Sequence, residues 1–355
     1  MSKVIRRNIR PRLPIAYVSE IDGWDDPAID IGVGEDGDQI DSEAIISLNK
    51  SLPIPNATDS WIGSAAEAQL ARFIRSGTWV PAWIAKVAGH PARAFVLSWL
   101  LERFGDSLTK DEDGISLPRA RAQDDDGRLW WIATRQEIAN ATLLDFYSAD
   151  RARRTLQRRE LIDVEKRPNR LALRPNGREL SNAFVKLTKE TSVVEHLKYN
   201  QANFEWVGSV ACARSKDSIG TWVHDAIMVI CDRKPGPALL LSHVLYWHSL
   251  SRDKRSRARI TRNNKLWIAR SRRELADNPG GDQTALSKAV ECLAKKGFVE
   301  AENDRWCYKR YRDRKQPTLH LRPCPAQIGV ALSAHHNEII LAISEKRNWC
   351  TPDCH

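Results

Sequence analysis

Apolar and polar positions follow one another in blocks that predict the same short series of helices and strands twice along the chain. Each series opens with a helix that is apolar around most of its circumference, over Ala94–Phe104 and again over Ala238–Leu250. A helix of that kind is buried on nearly all sides. After a polar stretch comes a short strand with aromatic residues, Leu129–Ile132 or Leu266–Ala269. The pattern therefore predicts one structural unit in two versions.

A short helix is predicted directly after each of these strands. Thr134 precedes Glu137 by three residues, and Ser271 precedes Glu274 in the same way. This spacing is typical of a capping box, in which each side chain satisfies a free backbone N–H group of the other residue.

The next helix in each unit has a core face and an exposed face. In the first unit it runs from about Ser148 to Arg159, and helical spacing places Ala149, Ala152 and Leu156 on the core face. The second unit has the same helix over residues 284–296. Its corresponding core positions are Leu286, Ala289 and Leu293.

Each unit ends in a predicted β-hairpin. Leu161–Glu165 pairs with Leu171–Arg174, and Phe298–Glu302 pairs with Thr318–Arg322. Helix, strand, helix, turn, helix and hairpin is the order of elements in a winged helix–turn–helix domain. The predicted fold class is α+β, mainly α, with two tandem winged helix–turn–helix domains.

The two units are also similar in sequence. Residues 128–165 align with residues 265–302 without a gap, and nine of those 38 positions are identical. The tetrapeptide GTWV begins at Gly77 and again at Gly220. Several similar blocks in the same order indicate an internal duplication.

Five segments follow from these patterns. They are a basic arm with an acidic, disordered region over 1–70, a winged-helix domain over 71–176, a helical linker over 177–219, a second winged-helix domain over 220–324, and a C-terminal helix and tail over 325–355. In the last segment the apolar run from Ile328 to Ile343 predicts one helix.

The uneven distribution of charge points to a polyanionic partner. The net charge of the chain is +10, but residues 15–70 contain twelve acidic residues against the single Lys50. Residues 1–14 carry five positive charges, which leaves a net charge of +16 on residues 71–355. A body this basic favours nucleic acid as the partner, and a solvated basic surface is the alternative.

The second helix of a helix–turn–helix unit usually reads the major groove, so its exposed face supplies the first candidates. The hairpin tips add basic residues, and in the second unit these alternate with aromatic residues that can stack on bases or sugars. In the first unit the candidate DNA-binding residues are Arg151, Arg154 and Arg158 on the helix and Lys166, Arg167 and Arg170 on the hairpin. In the second unit they are Gln283, Thr284, Ser287 and Lys288 on the helix and Arg305, Lys309, Arg310, Arg312 and Arg314 on the hairpin.

Motifs of catalysis are missing from the sequence. It contains no phosphate-binding G-x-x-x-x-G-K-[ST], no H-E-x-x-H and no G-x-S-x-G. Cys350, Cys354 and His355 lie close together, but their spacing is not that of a standard zinc site. We therefore expect a protein that is not an enzyme and holds no metal or cofactor.

Apolar runs long enough to span a membrane are also missing, and the first residues lack the apolar core of a signal peptide. The seven cysteines do not form a disulfide framework. A cytoplasmic protein without a membrane partner is expected.

Three segments carry a resemblance to a known family: ALLLSHVLYW, KLWIARSRRELA and ALSKAVECLAKKGFVEAE. They resemble winged-helix proteins of plasmids and phages, many of which are replication initiators with tandem winged-helix domains. The resemblance implies origin recognition through short direct repeats and recruitment of host replication proteins.

The expected function is sequence-specific binding of double-stranded DNA, with the chain acting as a monomer on DNA. One alternative is a transcriptional regulator of a mobile element, which would dimerise through the helix at Ile328–Ile343. Another is a winged-helix interaction subunit of a larger nucleoprotein complex, since winged helices also serve protein assembly.

Overall fold

The computed structural model describes residues 60–73, 76–104, 106–110, 116–118, 122–125, 128–188, 220–250, 257–258, 260–277, 283–304 and 318–348. Helices and strands are mixed along the chain, and helices predominate. The α+β, mainly α class is confirmed at that level.

The first half of the chain contains six helices and seven strands within the described residues. In chain order they are α1 (Ala65–Ala71), β1 (Gly77–Pro81), α2 (Ala82–Ala88), α3 (Pro91–Phe104), β2 (Asp106–Lys110), β3 (Ser116–Pro118), β4 (Ala122–Gln123), β5 (Leu129–Ala133), α4 (Arg135–Thr142), α5 (Phe146–Arg158), β6 (Ile162–Arg167), β7 (Arg170–Pro175) and α6 (Gly177–Thr188).

From residue 220 a similar order of elements follows, without counterparts of β2 and β3 among the described residues. The elements are β8 (Gly220–His224), α7 (Asp225–Ile230), α8 (Pro235–His248), β9 (Ile260–Arg262), β10 (Lys265–Ser271), α9 (Arg272–Asp277), α10 (Gln283–Lys295), β11 (Val299–Asp304), β12 (Thr318–Pro323), α11 (Pro325–Ala334) and α12 (His336–Asn348).

Each half has a four-stranded antiparallel sheet. Its strand order is β4-β5-β7-β6 in the first half and β9-β10-β12-β11 in the second. The aromatic strand, β5 or β10, pairs with the last strand of the hairpin in both sheets. The two predicted hairpins, β6–β7 and β11–β12, are confirmed.

Strands β1 and β8 form an antiparallel ribbon that joins the two halves, which the sequence pattern did not predict. Trp79 lies opposite Trp222, Gly77 opposite His224, and Pro81 opposite Gly220. Because both strands contain GTWV, each strand presents the same residues to its partner at reciprocal positions. Such a pairing has a local two-fold axis.

A single hydrophobic core extends through both halves. The predicted core positions of α5 and α10 are all buried in it. Helices α3 and α8 pack against each other across the boundary between the halves. No helix in the described part of the chain is both long and apolar enough to cross a membrane.

Both predicted capping boxes are present. The Thr134 hydroxyl accepts from the N–H of Glu137 at 3.1 Å, and the Glu137 carboxylate accepts from the N–H of Thr134 at 2.7 Å. Ser271 and Glu274 form the same two bonds at 3.1 and 2.7 Å. These bonds fix the start of α4 and α9, the helices that precede α5 and α10.

The prediction of disorder for residues 1–70 is wrong for residues 60–70. Trp61, Ala66 and Leu70 are buried, and α1 packs against α11. Gln69 also donates to the hydroxyl of Ser333 at 3.0 Å. The physical reason is the i, i+4 spacing of Ala66 and Leu70, which gives α1 an apolar face to bury. Residues 1–59 lie outside the described residues.

Two helices replace the single helix predicted over Ile328–Ile343. Helix α11 ends at Ala334, and the carbonyl of the next residue, His335, accepts from the N–H of Ile339 in α12. The His335 ring lies 3.0 Å from the carboxylate of Glu338. Since α11 packs on α1 while α12 packs on α7 and α4, the break lets each helix cover a different surface.

The predicted linker begins with α6, which packs against α2 with Leu180 buried. The rest of that linker, residues 189–219, and the cluster of Cys350, Cys354 and His355 lie outside the described residues.

Candidate nucleic-acid interface

The exposed face of α5 carries three of the predicted arginines. Asp145 caps the helix, its carboxylate accepting from the N–H of Ser148 at 2.8 Å. The opposite side of α5 is buried against α3 and α4. Arg151, Arg154 and Arg158 are all exposed, so their predicted placement on one solvent-facing side is confirmed.

These arginines differ in their contacts. Arg154 Nη2 lies 2.7 Å from Asp150 Oδ2, although its side chain remains 59% exposed. Arg158 donates to the Thr155 hydroxyl at 3.2 Å. Among the described residues, Arg151 has no carboxylate partner. Arg151 is therefore the least engaged of the three within the chain.

Asp150 forms ion pairs with several arginines beside this face. It is nearly buried, and Arg153 lies 2.8 Å and Arg135 3.8 Å from its Oδ1 atom. Burial is the largest single influence on its carboxyl group and opposes ionisation. The hydrogen bond from Arg153 and the charges of Arg153, Arg154 and Arg135 outweigh burial, so the pKa of Asp150 lies below its usual range. The carboxylate thus stays charged and holds Arg154.

A second group of arginines lies where α5 meets the end of α2. Arg159 donates to the carbonyl of Ala88 at 2.7 Å, and Arg93 donates to the carbonyl of Gly89 at 3.1 Å. Partial burial, and then the charges of Arg159 and Arg151, lower the pKa of Arg93. Guanidinium groups this close repel one another, and a phosphate group would relieve that repulsion. Sequence reasoning missed Arg93 and Arg159 because no local pattern links them.

The β6–β7 hairpin gathers the basic residues of the first tip. Arg167 pairs with Arg170 across a two-residue turn of Pro168 and Asn169. Asn169 has a φ of 58°, a left-handed conformation that asparagine adopts more easily than most residues. Lys166 and Arg170 are exposed, and Arg167 is half-buried. Because β6 packs against α5, the hairpin adjoins the helix that carries the arginines.

The exposed face of α10 is less basic than that of α5. Arg272 donates to the Ser287 hydroxyl at 2.9 Å and to the side-chain oxygen of Asn303 at 3.2 Å, which ties α9, α10 and β11 together. The predicted residues Gln283, Thr284, Ser287 and Lys288 are all exposed, as expected.

The predicted residues of the second hairpin tip lie outside the described residues: Arg305, Lys309, Arg310, Arg312 and Arg314. The strands that lead to them are paired from Val299 and Pro323 to Asp304 and Thr318.

Tyr147, at the start of α5, is an exposed aromatic residue that sequence reasoning missed. Tyr147 is 82% exposed, and Phe146 is 37% exposed. The two rings meet edge to face with their centres 5.6 Å apart. Tyr147 precedes Arg151, Arg154 and Arg158 by four, seven and eleven residues, so the four share one face. That spacing was visible in the sequence.

Two arginines of the sheets have structural contacts instead. Arg174 lies 5.2 Å from the centre of the Trp130 ring and 2.8 Å from the carboxylate of Asp163. Arg322 makes the same two kinds of contact in the second half. It lies 5.8 Å from the centre of the Trp267 ring and 3.3 Å from the carboxylate of Glu300. Both side chains are therefore held against their own sheets.

His243 and His248 are buried within α8. His243 accepts from the indole N–H of Trp247 at 3.0 Å, and His248 Nδ1 lies 2.9 Å from the carbonyl of Val244. Burial, reinforced by the charge of Arg270, lowers the pKa of His243 to about 4. Within the described residues, no three His, Cys, Asp or Glu side chains are grouped so as to hold a metal ion.

The chain matches no protein-family model and no curated protein.

Proposed function

We propose that the protein is a sequence-specific double-stranded DNA-binding protein, not an enzyme, built from two winged helix–turn–helix domains that arose by duplication. Its role is that of a replication initiator of a plasmid or phage-like element, acting in the cytoplasm. It binds repeated sites and recruits host replication proteins. This role follows the resemblance of its sequence to tandem winged-helix initiators.

Equivalent contacts in the two halves support the duplication. Arg159 donates to the last turn of α2, and Lys296, its aligned counterpart, donates to the carbonyl of Ile230 in α7 at 3.1 Å. Arg135 lies near Asp150, and their counterparts Arg272 and Ser287 are hydrogen-bonded. Side-chain contacts at matching positions, together with the matching strand order of the two sheets, are the expected result of copying one domain.

The observation that carries DNA binding is the arginine face of α5. Arg151, Arg154 and Arg158 are exposed on α5, which would be the major-groove reader of the proposed winged helix. Arg93 and Arg159 add positive charge at its end, and the basic β6–β7 tip lies on the same half. Guanidinium groups suit both phosphate oxygens and the guanine edge.

A chain with two such helices, α5 and α10, is expected to bind a long site. The β1–β8 ribbon relates its two strands by a local two-fold axis, and helix–turn–helix dimers use two-fold symmetry to address major grooves ~34 Å apart. A single chain would then occupy about two turns of DNA without dimerising. Because α5 and α10 expose different residues, the preferred site is asymmetric.

A transcriptional regulator is the second candidate within DNA binding. It would dimerise through the run from Ile328 to Ile343, in which Ile328, Leu332 and Ile339 are buried within the chain and other apolar side chains are exposed. A contact between two chains would use the exposed side chains, and a monomeric mass in solution would count against the regulator.

An interaction subunit of a nucleoprotein complex is the candidate from another class. The exposed apolar side chains Val330, Ile340 and Leu341 on α11 and α12 favour it. Unlike the proposed function, this role requires no binding of duplex DNA.

A nuclease footprint on the DNA that flanks the gene of the protein, at about 100 mM salt, distinguishes these roles. Protection of several direct repeats is the result expected for an initiator, and protection of one inverted repeat over a promoter would indicate a regulator. An unprotected fragment would contradict DNA binding. The variant Arg151→Ala should weaken the footprint, while Lys186→Ala, at an exposed position of α6, should leave it unchanged.

A further inference from the structure

The most exposed of the large apolar side chains in the described residues belongs to Tyr147. Single exposed apolar residues are common on protein surfaces. Tyr147, however, lies on the same face of α5 as Arg151, Arg154 and Arg158, at the N-terminal end of the arginine row. The ring therefore belongs to the surface that we propose faces DNA.

The ring of Tyr147 is supported from one side. Phe146 contacts it edge to face, with an interplanar angle of 88°. Phe146 is itself partly covered, and the first turn is fixed by the cap at Asp145. An aromatic side chain has only two rotatable bonds, so little conformational entropy is lost when it binds. Tyr147 is thus a preorganised apolar projection.

The position of Tyr147 near the start of α5 indicates which part of the DNA it would contact. In helix–turn–helix proteins, the N-terminal residues of the second helix contact base edges. The arginines that follow can bind phosphate oxygens, which a neutral ring does not attract. Thymine is the base with a methyl group in the major groove, and apolar side chains pack against that group.

We infer that Tyr147 reads DNA bases for the first half of the chain by packing its ring on the 5-methyl group of thymine. This inference rests on the proposed function and assigns a chemical target to one residue of it. Thr284 occupies the equivalent position of α10 and is also exposed. Because its side chain is smaller and polar, the second half is expected to prefer a different sequence.

In the test, the full-length chain first selects the duplexes that it binds from a library with a random 30-base-pair core. Duplexes enriched by the wild-type chain are then synthesised with each thymine replaced in turn by uracil, which lacks only the methyl group. Affinities for both forms are measured with the wild type, Tyr147→Ser and Tyr147→Phe. Val330→Ser, which removes another exposed apolar side chain on α11, is the matched control.

For the wild type, uracil at one or two positions should weaken binding by about fourfold, the factor expected for one methyl-sized apolar group. Tyr147→Ser should bind the thymine and uracil forms equally at those positions, because it lacks the ring that contacts the methyl group. Tyr147→Phe and Val330→Ser should discriminate as the wild type does. Tyr147→Ser should also unfold at the same urea concentration as the wild type, since the position is exposed.

The inference is overturned if Tyr147→Ser keeps the thymine preference, or if no thymine of the enriched duplex is sensitive to uracil. In both cases the chain still binds a selected duplex, so the proposed function survives. If the wild-type chain enriches no duplex at all, the proposed function fails and this inference fails with it.

Discussion

Gly220 lies directly beneath the indole ring of Trp79, and the ring leaves no space for a side chain. A methyl group at Gly220 would lie 2.5 Å from Cζ2 of Trp79, and one at Gly77 would lie 2.7 Å from Cε2 of Trp222. The contacts are reciprocal because β1 and β8 pair with Trp79 opposite Trp222. The ribbon that joins the two halves therefore depends on both glycines.

Replacing Gly220 by alanine should destabilise the protein. The new methyl group would push the Trp79 ring or the strand away, and such overpacking costs about 1–3 kcal/mol. Urea unfolding of the full chain measures the change. Gly236→Ala is the matched control, because the nearest side-chain atom there, Pro91 Cγ, lies at an ordinary 3.8 Å. Equal stability of the two variants would contradict the role of the ribbon.

Lys346 anchors the C-terminal helix α12 to the same ribbon. Its ammonium group lies 2.7 Å from Asp225 Oδ1, 3.1 Å from the Thr78 hydroxyl and 3.3 Å from the carbonyl of Gly77. Lys346 and Asp225 are both buried. One side chain thus connects α12 to the first half through β1 and to the second half through α7.

Replacing Lys346 by methionine should lower the free energy of unfolding by about 3–5 kcal/mol, because it leaves the carboxylate of Asp225 buried without a cation, with a hydrogen bond from Ser76 as its remaining side-chain contact. Adding Asp225→Asn to the same chain should recover part of that loss. Lys186→Met, at an exposed position, provides the control in the same urea titration. A change of less than about 1 kcal/mol for Lys346→Met would show that this ion pair does not hold the helix.

Arg151→Ala should weaken DNA binding more than Arg154→Ala. Arg154 already pairs with Asp150, whereas Arg151 has no carboxylate partner in the described part of the chain. A contact to a base edge would cost about 1–3 kcal/mol when lost, and a contact to phosphate would reduce the salt slope by about one. Affinity for a selected duplex over a salt series measures both. Equal losses for the two variants would contradict this ranking.

Acidification should destabilise the fold through His243. Its folded-state pKa of about 4 lies below the ordinary value of 6.5, so between these pH values the unfolded chain binds a proton that the folded chain does not. Stability from this group is therefore present above about pH 6.5 and is lost as the pH falls, by about 2 kcal/mol between pH 7 and pH 5. Urea unfolding at both pH values should show a smaller loss of stability on acidification for His243→Gln than for the wild type. An equal loss of stability in the wild type and in His243→Gln would show that His243 is not the cause.

Local patterns in the sequence predicted the helices and the hairpin of each repeated unit, but not β1, α2, β8 or α7. The capping boxes at Thr134 and Ser271 are formed, and the core face that includes Ala152 and Leu156 is buried. These features depend on residues a few positions apart, where helical spacing and backbone hydrogen bonding decide the structure.

Contacts between distant segments could not be predicted in the same way. The pairing of Trp79 with Trp222 joins residues more than a hundred positions apart, and periodicity within one strand does not identify the partner strand. The grouping of Arg93 with Arg159 arises only when α2, α3 and α5 pack together. Tyr147, in contrast, was predictable, because its spacing from Arg151 follows the same helical period as the core.

Duplex binding over a salt series tests the central claim most directly. The full-length chain is titrated against a fluorescent 30-base-pair duplex at several salt concentrations between about 50 and 200 mM. A protein that neutralises several phosphates with its arginines should lose affinity steeply over this range, by about 10³-fold for six contacts. Arg151→Ala should bind more weakly and Lys186→Ala as the wild type does. Absence of duplex binding at the lowest salt concentration would contradict the proposed function.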